Sequence, residues 1–215
     1  MATATTVRVP ILKRLKKLMT AEGFYEWVHR PENYDRFFEL ERGEVIEMPP
    51  PGGLHGVVCG NTGGILRDFA FRRRKGFVCT NDTGVILERV PDTVRGIDVT
   101  FYDEVRRYEE LPRRYIEPLP KLAVAVLSPD DRPGKLMRRV TEFLRQGIEL
   151  VWVIDPEVCN VTVYQRRKAP YVVEENDELT GNDLLPDFRC RVAEFFEMPG
   201  KAPQSSKPRR KRKQS

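Results

Sequence analysis

The sequence predicts an α/β protein in which a mixed central β-sheet is flanked by helices. Short apolar segments alternate along the chain with two long amphipathic helices, a pattern typical of a layered sheet-and-helix domain. Residues 149–155 are almost continuously apolar, as expected of a strand that is covered on both faces. The 215 residues contain no internal repeat, and they fit one domain with short tails.

The first third of the chain predicts a short helix, a hairpin and a long helix. Thr20 is suited to cap a helix with Phe24, Trp27 and Val28 on one face. Residues 37–48 predict a hairpin that turns near Arg42-Gly43, and the Pro- and Gly-rich residues 49–53 end it. We then expect a helix over about residues 55–75, whose inward residues are Val58, Ile65, Leu66 and Phe69.

The remainder predicts short strands, a second long helix and a closing hairpin. Strands are expected at residues 77–80, 84–87, 97–102 and 122–127. The second long helix would start at Pro133 and stop at Gly147, with Met137, Val140, Phe143 and Leu144 on its apolar face. After the strand at 149–155, we expect a hairpin over 161–164 and 171–174 and a short final helix at 192–196.

Composition excludes several classes of protein. No apolar run approaches the roughly 20 residues that a membrane-spanning helix needs, and the N-terminus does not resemble a signal peptide, so we expect a cytoplasmic protein with no membrane partner. The chain has only two histidines, which excludes a histidine-rich metal site. Its four cysteines lie far apart, so reduced, buried thiols are expected rather than a zinc site or disulfide framework.

The positive charge is concentrated at the C-terminus. The net charge is +5, but residues 201–215 hold seven basic and no acidic residues, and the rest holds 30 basic and 32 acidic residues. We therefore expect a partly disordered arm at 1–19, a domain at 20–198 and a disordered basic tail at 199–215. Such a tail attracts polyanions, although a nuclear-import signal or a solubilising tail has the same composition. Its basic cluster is Arg209, Arg210, Lys211, Arg212 and Lys213.

Asp98 is the best candidate for a metal ligand. It lies between Ile97 and Val99 in an apolar strand, where an acid is costly to bury unless a cation or hydrogen bonds satisfy it. Two other interpretations are that Asp98 caps a turn or that it pairs with Arg95. Hydrolysis of a phosphodiester bond uses such a cation, and Mg²⁺ prefers carboxylates, backbone carbonyls and waters.

Four further residues are candidates for the same site. The strand at 122–127 offers the Val126 carbonyl as a metal ligand, and Glu39 on the hairpin is a further candidate ligand. His55 and Arg139 come from the two long helices, so the candidate catalytic residues are Asp98, Glu39, Arg139 and His55. Glu39 is equally typical of a hairpin salt bridge, and His55 of a hydrogen bond at the start of a helix. Arg139 is also consistent with a solvated cation, and Asp155 before Pro156 with the turn that ends a strand.

Five ordered segments resemble the Uma-two family, which is assigned to the restriction endonucleases of the PD-(D/E)XK nuclease superfamily. The segments are Phe38-Glu39-Leu40 with Gly43-Glu44, then His55-Gly56, Ile97-Asp98-Val99, Val124-Ala125-Val126-Leu127-Ser128-Pro129 and Leu150-Val151-Trp152-Val153-Ile154-Asp155-Pro156. The resemblance runs from about Thr20 to Phe196. It implies a restriction-endonuclease-like core, DNA as partner and Mg²⁺ or Mn²⁺ as cofactor. It also implies a metal held by Asp98 and by an acid on the V-E-V-L-S-P strand.

The chain departs from this family at two positions. Ala125 replaces the strand glutamate, and Arg139 replaces the helix lysine, so the positive charge is kept while the pKa is too high for a base. One hypothesis is therefore a metal-dependent DNA endonuclease weakened by Ala125. The other is an inactive nuclease fold that serves as a DNA- or partner-binding module. A third interpretation is that Ala125 was introduced deliberately to silence an enzyme. Many nucleases of this class pair, so a homodimer is compatible with either function.

Overall fold

A computed structural model describes residues 18–129 and 131–200 of the chain. Most of the predicted arm at 1–19 and of the basic tail at 199–215 lies outside these residues, including all five members of the cluster from Arg209 to Lys213. Those two predictions, and the domain bounds that depend on them, stay predictions. None of the described helices combines the length and the apolar composition that a membrane-spanning segment needs.

Helices and strands follow the predicted order. Within the described residues, the α-helices are Ala21–Val28 (α1), Gly53–Arg73 (α2) and Pro133–Gln146 (α3). The strands of the first half are Phe37–Glu41 (β1), Glu44–Met48 (β2), Phe77–Glu88 (β3) and Thr93–Tyr102 (β4). Those of the second half are Leu122–Val126 (β5), Leu150–Asp155 (β6), Asn160–Gln165 (β7), Tyr171–Val173 (β8), Glu178–Gly181 (β9) and Leu185–Arg191 (β10). The final segment, Val192–Phe195, is a 3₁₀ helix.

The predicted α/β class with a mixed central sheet is confirmed. Eight strands form one sheet in the order β2-β1-β4-β5-β6-β7-β8, with β3 also paired to β4. β5 and β6 are parallel, and their connection is α3, as a parallel pair requires a crossover. α2 covers one face of the sheet and α3 covers the other, so every residue of β5 is buried.

Several local predictions are confirmed by the geometry of the chain ends and turns. Thr20 Oγ1 accepts a hydrogen bond from the Gly23 amide at 3.1 Å and thereby caps α1. The first hairpin turns at Arg42 and Gly43, which both have positive φ, as a two-residue turn between paired strands requires. α3 starts at Pro133 and ends before Gly147. All four cysteines are free, but only Cys190 is fully buried, so the expectation of buried thiols was right for one of them.

The prediction of two strands at 77–80 and 84–87 was wrong. They form one strand, β3, which continues through a β-bulge: Thr80 pairs with Val99 and Thr83 pairs with Ile97, so β3 has one extra residue. Asn81 and Asp82 form the bulge with positive φ, which short polar side chains tolerate. Asn81 and Asp82, whose residue types are also typical of a turn, therefore lie within a continuous strand. The β9–β10 hairpin was not predicted from the sequence.

Candidate active site

Asp98 lies where two central strands separate. The pairing of β4 with β5 runs from Phe101 and Leu122 to Val99 and Val124 and ends there. Beyond that point the Val126 amide donates a hydrogen bond to Asp98 Oδ2 at 2.6 Å, in place of a backbone partner. Asp98 therefore neither caps a turn nor pairs with Arg95. Its carboxylate fills the gap between the strands, and its role as a metal ligand stays a prediction.

His55 forms an ion pair with Asp98. It lies in the first turn of α2, and its Nε2 is 3.4 Å from Asp98 Oδ2. The hydrogen bond to Asp98 raises the pKa of His55 to about 10, so the imidazole is protonated at neutral pH. Burial of Asp98 disfavours its charge, but His55, Arg139 and the Val126 amide outweigh burial and lower the pKa of Asp98. The pair is therefore an imidazolium and a carboxylate.

Cys59 extends this group on the same face of α2. One turn after His55, its Sγ lies 3.5 Å from His55 Nδ1. Burial raises the pKa of the Cys59 thiol, so the sulfur is protonated at neutral pH. His55, Cys59 and Asp98 offer ligand atoms that all lie within 4.8 Å of one another. This arrangement was not predicted from the sequence, because the spacing of the cysteines relative to one another gives no sign of it.

Asp82 is the second residue that the sequence analysis missed. The bulge of β3 places it in the cleft beside Asp98, close enough for the two carboxyl groups to interact. Burial and the charge of Asp98 together raise the pKa of Asp82 to about 6. A Cβ added at Gly96 would lie 3.1 Å from both Cβ and the carbonyl oxygen of Asp82, so this approach depends on Gly96. The sequence feature that could have indicated this residue is the Asn81-Asp82 pair between two apolar segments.

Glu39 and Arg139 form a separate ion-pair network beside Asp98. Glu39 is buried on β1, with its Oε2 3.1 Å from Arg95 Nη1 and its Oε1 3.0 Å from Arg139 Nη1. The Gly96 amide also donates to Glu39 Oε1 at 3.1 Å, and Arg139 donates to the Gly96 carbonyl. Glu39 thus makes the salt bridge that was the alternative to a metal role. The interpretation of Arg139 as a solvated cation was wrong.

One cleft of about 730 Å³ is lined by the charged residues Glu39, His55, Asp82, Asp98 and Arg139. Its floor includes Asp98, Asp82 and Ala125, of which Ala125 is 7% exposed, and Val126 lies beside them. The cationic residues Arg132, Lys135 and Arg138 line the same cleft from the start of α3. Asp155 does not line it; its Oδ1 accepts a hydrogen bond from the Glu157 amide at 2.9 Å, which fits the predicted turn. The same cleft therefore contains carboxylates that could bind a metal ion and, at its rim, basic side chains that could bind an anion.

Comparisons with known proteins agree with this architecture. The model of the Uma2 family, described as "Putative restriction endonuclease", matches residues 21–193. A crystal structure from Anabaena variabilis, described as "a putative nuclease belonging to DUF820", is 18% identical in sequence with a TM-score of 0.68. The similarity covers 83% of this chain and 97% of that one, and at this identity it establishes the restriction-endonuclease-like fold alone. No curated protein matches.

Proposed function

Because this chain belongs to the Uma2 family of "Putative restriction endonuclease" proteins, we propose that it is a metal-dependent endonuclease that hydrolyses phosphodiester bonds in DNA. One observation carries the proposal: Asp98 is an ionised carboxylate placed in the gap between β4 and β5, at the floor of a cleft with a cationic rim. A buried charge is costly unless it is paired, hydrogen-bonded or bound to a metal, and a charged residue with a shifted pKa in a cleft supports a functional role.

The donor set of the cleft fits a divalent cation. Asp98 and Asp82 supply carboxylate oxygens, and Val126 adds its carbonyl, which is the ligand chemistry that Mg²⁺ or Mn²⁺ prefers. A cation held there would supply neutralisation of the charge that develops on the phosphate and a more acidic bound water. The repulsion between Asp82 and Asp98 supports this assignment, because a shared cation would relieve it.

Asp82 takes the place of the missing strand acid in this proposal. Ala125 has no ligand atom, but Asp82 reaches Asp98 from the neighbouring strand β3. Asp82 on β3 would thus supply the carboxylate that the family carries on β5, and both strands pair with β4, which holds Asp98. This substitution makes catalysis compatible with Ala125.

Two positively charged side chains, Arg139 and His55, would stabilise the phosphate or position the residues that bind it. Arg139 is fixed by Glu39 and the Gly96 carbonyl, so its guanidinium presents a permanent positive charge beside Asp98 and Asp82. Because an arginine side chain stays protonated in proteins, Arg139 cannot remove a proton from water. His55 holds Asp98 in place through their ion pair and adds a second positive charge to the site. Glu39 is then a positioning residue rather than a metal ligand.

DNA would be held by the rim of the cleft. Arg132, Lys135 and Arg138 are exposed at the start of α3, where they are free to meet backbone phosphates. The basic tail, which lies outside the described residues, would add contacts without sequence preference. Cleavage of both strands of a duplex would require two such sites, which a homodimer in the cytoplasm would provide.

A binding module without catalysis is the second candidate function. Ala125 favours it, because the β5 position that faces the cleft carries no acid. The cationic rim would still bind DNA. The two candidates differ only in whether a bond is broken, so one experiment separates them.

The test is plasmid cleavage with Mg²⁺ or Mn²⁺, with DNA binding measured on the same preparations. We expect the chain to cut, Asp98→Asn to bind without cutting, and the control Asp155→Asn to cut at the parent rate. Cleavage by Ala125→Glu alone would favour the binding module for the present chain. If neither the chain nor Ala125→Glu cuts any DNA tested, the nuclease proposal is wrong.

A further inference from the structure

Beyond the proposed function, we propose that His55, Cys59 and Asp98 form a Zn²⁺ site that controls the active site. The three side chains offer one imidazole nitrogen, one sulfur and one carboxylate oxygen, all within 4.8 Å of one another. Neither the family description nor the fold assigns a thiol to this position. Nothing in the sequence pattern predicts such a site, because zinc sites are usually recognised from pairs of cysteines.

The spacing of the two helical ligands suits a metal. His55 and Cys59 are four residues apart on α2 and therefore project from the same face of the helix. Their side chains are already in contact, since Cys59 Sγ lies 3.5 Å from His55 Nδ1. Asp98 meets His55 from the sheet at 3.4 Å. Because Cys59 contacts Nδ1 of His55 and Asp98 contacts Nε2, a side-chain rotation would be needed to bring the three donors around one ion.

The kind of donor decides which cation is preferred. Mg²⁺ takes oxygen ligands and rarely binds sulfur, whereas Zn²⁺ binds thiolate, imidazole and carboxylate at about 2.0–2.3 Å in a tetrahedron. Three protein ligands would leave the fourth position open to water or to Asp82. The ion would replace the protons that His55 and Cys59 carry in its absence. A rigid helix holds two of the ligands, so the group is suited to a small ion.

Occupation of this group would switch off cleavage, a consequence that rests on the proposed function. Asp98 belongs to both sets of donors, and Zn²⁺ on its His55 side would repel a second divalent cation. Asp98 would then be a ligand of Zn²⁺ instead of the ion-pair partner of His55, and it would no longer be available to bind Mg²⁺. The nuclease would thus be active with Mg²⁺ and inhibited by Zn²⁺.

Metal binding tests the site without any assay of cleavage. The reduced full-length chain, freed of metal by a chelator, is titrated with Co²⁺, which gives a near-ultraviolet thiolate-to-cobalt absorption, and with Zn²⁺ in a calorimeter. We expect one ion per chain and a thiolate absorption that Cys59→Ala abolishes. The Zn²⁺ affinity of Cys59→Ala should fall by more than the roughly 10- to 100-fold that loss of an outer-shell partner costs.

The matched control is Cys79→Ala, another half-buried thiol, which lies outside the group. It should keep the absorption and the affinity, and His55→Gln should lose affinity while keeping Cys59. A chain without the thiolate absorption, or one whose absorption persists in Cys59→Ala, overturns the site. Inhibition by Zn²⁺ is then measured relative to the Mg²⁺-dependent rate of each variant itself. A chain that binds Co²⁺ through Cys59 but never cuts DNA would refute the nuclease and leave the metal site standing.

Discussion

The Val126 amide donates a hydrogen bond to Asp98 Oδ2 at 2.6 Å, at the point where β4 and β5 cease to pair. At this point the Asp98 side chain, rather than a backbone carbonyl of β4, accepts the hydrogen bond from β5. This hydrogen bond holds Asp98 in the cleft, where both Asp82 and His55 interact with its carboxylate. The charge of Asp98 therefore influences the protonation of both neighbours.

Asp82 and residue 125 should be exchangeable as the source of the second carboxylate. Asp82→Asn removes a ligand charge, so we expect Mg²⁺-dependent cleavage to fall by more than the roughly 10- to 100-fold that outer-shell changes cost. Adding Ala125→Glu to that variant should restore much of the rate, because residue 125 lines the same cleft. Cleavage rates of the four combinations test this. A double variant as inactive as Asp82→Asn would contradict it.

Asp82 should also lower stability at neutral pH. Its pKa is raised from 3.8 to about 6, so the carboxyl favours folding when protonated, and this contribution is lost as the pH rises through about 6. We expect Asp82→Asn to raise the free energy of unfolding at neutral pH by about 1 kcal/mol, a figure reduced for its partial exposure. Urea denaturation measures it, and the exposed Asp68→Asn, which should change little, is the control.

The His55–Asp98 pair should make stability depend on pH in the alkaline range. The pKa of His55 is raised from 6.5 to about 10, so the ion pair contributes fully below pH 6.5 and is lost as the pH rises through about 10. The free energy of unfolding should therefore fall over this range in the parent and less in His55→Gln. Denaturation curves at several pH values measure it. His29→Gln, which changes the exposed histidine, should follow the parent.

The Glu39 network should be essential for folding rather than for metal binding. Glu39→Ala leaves Arg95 and Arg139 without this buried partner, and loss of one member of a buried pair costs about 3–5 kcal/mol. Glu47→Ala on the same hairpin breaks an exposed pair with Arg36 and should cost about 0–1 kcal/mol. Equal losses in the two variants, measured by chemical denaturation, would refute the structural role.

The basic tail should account for part of the salt dependence of DNA binding. Each phosphate that the protein neutralises contributes about 0.9 to the steepness of log affinity against log salt. Deleting residues 201–215, which hold seven basic residues, should therefore reduce that slope and the affinity at low salt. A neutral tail of equal length is the control. Unchanged affinity and slope would show that the tail has no role in binding.

The sequence was informative wherever chemistry is local. Thr20, the Arg42-Gly43 turn and Pro133 place element ends by capping and backbone preference, which neighbouring residues decide. Asp98 was recognisable because an acid within an apolar strand is costly without a ligand or hydrogen bonds. The bulge at Asn81 and Asp82 was missed because a polar pair that tolerates positive φ is equally suited to a turn and to a bulge.

The sequence by itself therefore determined the α/β class with its mixed sheet, the order of the elements as far as β8 apart from the continuous β3, and the presence of an acid, Asp98, within an apolar strand. Only the tertiary structure decided which side chains surround Asp98. It brought Asp82 from β3 and Cys59 from α2 to that carboxylate, and it bound Glu39 to Arg95 and Arg139. The physical reason is that side-chain partners across strands and layers depend on register, bulges and helix placement, which set distances between residues far apart in the chain.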